Sequence, residues 1–188
     1  MEKFQLFAHP WWVNLLFLLP FVAYYSFGRS LQMAKRTLAA AALFGIAFGF
    51  VEAAVVVYLR AATGMLPGYA GAISSSGTLP EQAQVVSQLA KNLFTIEVFR
   101  EIATLIMLSS VAFLAARTFK ERCAVFLWIF ACWDIFYYAG LWATVHWPGS
   151  LTTPDVLFLI PVPWYAQVWF PILVSALTIL VVLSRRDT

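Results

Sequence analysis

The chain has 188 residues, of which 62% are apolar and only 11% charged, and its mean hydropathy is +0.82. A soluble domain carries about 45–50% apolar and ~25% charged residues, so a soluble globule and a disordered chain are both excluded. Twelve Lys and Arg against nine Asp and Glu leave a net charge of +3, too little for the basic face of a nucleic-acid-binding module.

The composition points to an all-α, polytopic integral membrane helix bundle folded as a single transmembrane domain. A membrane helix needs about 20 mostly apolar residues, and five segments qualify: about 11–28, 37–58, 93–116, 124–145 and 164–183. Only Lys3 precedes the first, and no A-x-A site follows it; a retained, reversed anchor is expected here, in preference to a cleaved signal. In the second, Ala41, Gly45, Gly49 and Ala53 recur every four residues as a small-residue packing seam. The connection 61–91 is the one long loop, and PEQAQVVSQLAK within it predicts a short helix over 80–91. Cys123 and Cys132 lie nine positions apart on the fourth span, roughly 13 Å along the axis and beyond disulfide reach. Between spans four and five, Thr153-Pro154-Asp155 resembles a helix start, and Pro161 and Pro163 bound a short apolar run. A re-entrant or interfacial half-helix at about 154–160 is expected there.

Lys and Arg between the spans set the orientation. Arg29, Lys35, Arg36, Arg117, Lys120, Arg122, Arg185 and Arg186 fall on one side of a five-span bundle, and Lys3, Arg60 and Lys91 on the other. The bias predicts an inner (cytoplasmic) membrane protein of bacterial type, N-terminus outside and C-terminus cytoplasmic. Six of the eight tryptophans (Trp11, Trp12, Trp142, Trp147, Trp164 and Trp169) map to outer ends or the outer loop, as an interfacial belt or a docking surface for a partner, pigment or lipid.

Ionisable residues inside spans are rare and mark candidate sites. Here they are Glu52, Glu97, Arg100, Glu101 and Asp134, all in the outer halves of their spans, with Tyr137 and Tyr138 one turn beyond Asp134. Glu97, Glu101 and Thr104 share a helix face flanked by Arg100. Four carboxylates against one guanidinium must retain protons, meet water or hold a cation. The structural alternative is an Arg100 hub bridging Glu52, Glu101 and Asp134, with Glu97 solvated.

Three chemistries follow from these residue types. Glu52, Glu101 and Asp134 are candidate catalytic acid and base groups acting on a lipid headgroup. Arg100, Glu97, Tyr137, Tyr138 and Asp155 are candidate ligand-binding residues. Glu52, Glu101, Asp134 and His146 form a mixed set for a divalent metal; His9 and His146, the only histidines, also permit a two-His haem. No GxSxG, HExxH or phosphate-binding glycine loop is present. The leading expectation is a small membrane binding or accessory component, a subunit of a larger assembly or a homo-oligomer through the Ala41/Gly45/Gly49/Ala53 seam, in contact with membrane lipids and not nucleic acid. A small membrane enzyme is second, and a dimeric transporter third.

Overall fold

The computed structural model describes residues 4–28, 31–62 and 91–186; the helix expected over 80–91 lies outside them but for Lys91. The described chain is mostly helical. Three helices are long and apolar enough to cross a membrane: α2 (Lys35–Ala62), α3 (Lys91–Ala115) and α4 (Phe119–Val145). Two shorter apolar helices flank them. A 3-10 helix (Trp11–Leu18) runs into α1 (Leu19–Phe27), and α5 (Trp169–Arg185) closes the order.

The short ends have local causes. Asn14 accepts the Ala8 N–H at 2.9 Å and donates to the carbonyls of Ala8 (3.0 Å) and Trp11 (2.7 Å), folding the preceding segment against the first turn. Gly28 stops α1 with a left-handed φ of 59°, a conformation that glycine adopts without a Cβ penalty. At the other end of the chain, residues 164–167 are drawn into a strand, so the last helix begins at Trp169 and not at 164.

That strand overturns the half-helix expected at 154–160. β1 (Pro154–Phe158) and β2 (Trp164–Gln167) form an antiparallel hairpin, Pro154 opposite Gln167 and Phe158 opposite Trp164, with a bulge between Val156 and Phe158. β-branched and aromatic residues suit a pleated, half-buried surface. Pro161 and Pro163 lie in the connection, where a missing N–H breaks no ladder. The segment before the 3-10 helix adds to the open edge of β2: His9 and Tyr165 exchange N–H···O bonds of 2.8 and 2.7 Å.

The core of the bundle is α2 against α4. A Cβ built on Gly49 would stand 2.5 Å from the Trp133 carbonyl oxygen, one on Gly45 2.8 Å from that of Ile129, and one on Gly140 3.1 Å from the Ala53 Cβ. The small-residue seam therefore brings two backbones together within one chain. The face that holds Gly45 and Gly49, also expected as a homo-oligomer surface, lies against α4.

Thr118 and Glu121 start α4 with a reciprocal capping box, and His146 ends it in the left-handed conformation (φ 53°), donating its N–H to Trp142 O at 3.0 Å. The two ends of the bundle differ in chemistry. At one, Leu31 N–H meets Arg185 O at 3.3 Å, the Arg185 guanidinium lies 3.3 Å over the Tyr24 ring, and that of Arg122 lies 3.7 Å over Phe113. The hairpin and the buried acidic residues occupy the other.

Candidate functional site

Helical spacing sets the site. Glu52 sits on α2 beside the seam, three residues after Gly49, and is buried as that position requires. Arg60 follows two turns later. On α3, Glu97, Glu101 and Thr104 face inward, and on α4 Asp134 and Tyr138 are buried one turn apart. β1 supplies Asp155, and α5 supplies Ser175. All five carboxylates are between 3 and 8% exposed.

Each of the five has a protein partner. Arg100 pairs through Nη1 with Glu52 and through Nε with Glu97 at 2.7 Å, and Thr104 donates to the second Glu52 oxygen at 3.2 Å. Both Glu101 oxygens accept the Leu159 N–H, at 2.8 and 3.0 Å. This tethers α3 to the hairpin tip, where Leu159 follows the last ladder pair, Phe158 opposite Trp164, and its N–H has no strand partner. Ser175 donates to Asp134 at 2.8 Å, tying α5 to α4. Asp155 accepts from Tyr138 at 2.9 Å and pairs with Arg60 at 3.3 Å. That same guanidinium lies 3.7 Å over the Trp147 ring. Burial raises the Asp155 carboxyl above its ordinary value, with Arg60 and the Tyr138 hydroxyl pulling the other way without cancelling it.

The arrangement differs from the expected hub in three respects. Arg100 takes Glu97, which is buried instead of solvated. Glu101 bonds to a backbone amide, and Asp134 to a hydroxyl. Helix direction explains the first: Glu97 lies one turn before Arg100 on the same helix, near enough for Nε to reach it. Tyr137 stacks with Trp133 and meets Tyr138 edge-on. Among the described residues no group of three or more His, Cys, Asp and Glu is placed to hold a metal ion, so Glu52, Glu101, Asp134 and His146 do not form such a group. His146 serves as the α4 cap, and the His9 backbone pairs with β2.

Ser175, Arg60 and the Leu159 amide are partners beyond the sequence candidates. Ser175 and Thr178 are buried polar residues one turn apart on α5, a signal the sequence carried. Arg60, near the end of α2, carries in sequence only the signal of a charge flanking a span. The Leu159 amide has no sequence signature, because it depends on the hairpin.

Beside the cluster lies a partly open cavity of about 520 Å³. Leu19 of α1 and Leu105 of α3 flank it, Phe130 of α4 and Ser175 of α5 back it, and Phe158 and Trp164 of the hairpin roof it. Comparison of the chain with protein-family models, with curated protein sequences and with solved structures gives no match.

Proposed function

We propose that this protein is a small integral membrane binding or accessory component, crossing the inner membrane five times, whose acidic cluster locks the hairpin end of the bundle. The two shorter helices complete the five crossings beside α2, α3 and α4. The basic residues of the opposite end face the cytoplasm, placing the hairpin and the cluster on the outer side. One observation carries the reading: every buried carboxylate is already held by a protein donor, and these bonds join α2 to α3, α3 to the hairpin, the hairpin to α2 and α4, and α4 to α5. Buried polar networks of this kind fix one arrangement of their elements when each member is satisfied.

A smaller observation favours a second reading, a membrane enzyme acting on lipid. Ser175 lines the cavity while donating to Asp134, so a hydroxyl beside a carboxylate faces an apolar chamber.

The test is thermal unfolding of the wild type and of Arg100→Met in lipid nanodiscs. The lock predicts a loss of about 3–5 kcal/mol, since Glu52 and Glu97 would be left buried without their cation. It also predicts substantial recovery when Glu52→Gln and Glu97→Gln are added. An Arg100→Met protein as stable as the wild type would overturn the reading.

A further inference from the structure

We infer that the basic end of the bundle holds the phosphate of one anionic phospholipid, between Arg185 at the end of α5 and Lys120 at the start of α4. The site rests on the membrane reading and on the orientation that turns this end to the cytoplasm.

Two helices bring the cations to one place. The Arg185 guanidinium lies 3.3 Å over the ring of Tyr24, and a Cβ built on Gly28 would stand 3.7 Å from the Lys120 Nζ. Tyr24 and Gly28 are one turn apart at the end of α1, so an arginine and a lysine from different helices border the same last turn. The Leu31 N–H, bonded to Arg185 O at 3.3 Å, fixes the end of α5 against the chain that leaves α1. Span ends of this kind stand at headgroup level, where tyrosine rings also settle.

The charge of Arg185 is not balanced by protein. Among the described residues it makes no ion pair, and its Nε has no acceptor. Stacking on an aromatic ring engages the face of a guanidinium and leaves its N–H edge for an oxyanion. Arg122 differs, since its Nε donates to Ala116 O at 3.1 Å. Glu121 is the one carboxylate among the described residues of this end, and the capping box with Thr118 engages it. Lys35, Arg36, Arg117, Lys120, Arg122 and Arg185 all lie there. Such an excess attracts an anionic headgroup, whereas a zwitterionic one brings an ammonium that the same field repels. A purely structural role for Arg185, as a cation at helix C-termini, would be indifferent to the headgroup.

The experiment is native mass spectrometry of the full chain, stripped of lipid in a neutral detergent. Phosphatidylglycerol and phosphatidylcholine with the same acyl chains are offered in equal amounts. The expected first bound lipid is phosphatidylglycerol, about tenfold over phosphatidylcholine, with a preference that shrinks in high salt. Arg185→Gln and Lys120→Gln should each cut that preference by about threefold or more, while phosphatidylcholine binding stays as in the wild type. Lys91→Gln, the same charge change at the other end, should keep it. Equal binding of the two lipids by the wild type would overturn the site, whatever the folding of the variants. A preference that survives both Arg185→Gln and Lys120→Gln, or falls as far with Lys91→Gln, would overturn its placement. Displacement of phosphatidylglycerol by inorganic phosphate at matched concentration would overturn a lipid as the source of the phosphate. Recovery of the wild type from the soluble fraction of cells would instead contradict the membrane reading, so the two failures are distinguishable.

Discussion

Ser175 and Asp134 show at the scale of single residues what the cluster depends on. A buried hydroxyl donating to a carboxylate is a charge-assisted bond, worth about 1.5–3 kcal/mol. Ser175→Ala should lower unfolding stability by that amount in a detergent melt, while Asp134→Asn should cost less, because the amide oxygen still accepts from Ser175. Equal losses in both would indicate that the charge, and not the bond, matters. Gly49 is the steric counterpart. A methyl there would meet the Trp133 carbonyl at 2.5 Å, and backbone cannot yield as a side chain can. Gly49→Ala is expected to cost about 1–3 kcal/mol by overpacking, measured by the same melt; an unchanged melting temperature would show that α2 and α4 are not in contact there. Both features were partly legible in sequence. The four-residue period of the seam placed the glycines, and a lone polar residue in an apolar span marked Asp134. The partner was not legible, since nothing in the period says whether α4 or a second copy meets the seam.

Elements obey their own rules, and the hairpin is where sequence reasoning fell short. Thr153-Pro154-Asp155 satisfies the local rules for a helix start, yet the segment pairs with 164–167 and is pinned by Thr153, Asp155 and Leu159. Tertiary contact decides, because a helix of only about seven residues, 154–160, could not satisfy these donors and acceptors by itself. Asp155 also gives the hairpin a pH signature. Its carboxyl is raised by burial, so the folded chain holds the proton more tightly than the unfolded one. The stability this contributes is complete below the ordinary value of 3.8 and is lost as pH rises through the raised value. Asp155→Asn stands in for the protonated form at every pH. The melting temperature of the wild type relative to Asp155→Asn should therefore fall as pH rises from acid to neutral. A difference that grows instead would mean that the Arg60 pair outweighs burial.

At the scale of the whole molecule, the chain divides its charge between two ends. Lys35, Lys120, Arg122 and Arg185 sit at one, and the five buried carboxylates, Arg60, Arg100 and the hairpin sit at the other. This segregation was legible from sequence, because Lys and Arg between apolar runs report on connectivity alone. The bonds within the acidic end were not, because they depend on helix rotation and, for Glu101, on a backbone amide just past the last strand pair. Bonds at Leu159 and Asp155 fasten the hairpin to the helices. Hydrogen exchange at the Leu159 amide measures one of them directly, in wild type and in Glu101→Ala in the same nanodiscs. The lock predicts a protected amide in the wild type and exchange about tenfold faster in the variant, with α2 and α4 amides unchanged. Identical exchange at Leu159 in the two proteins would contradict it.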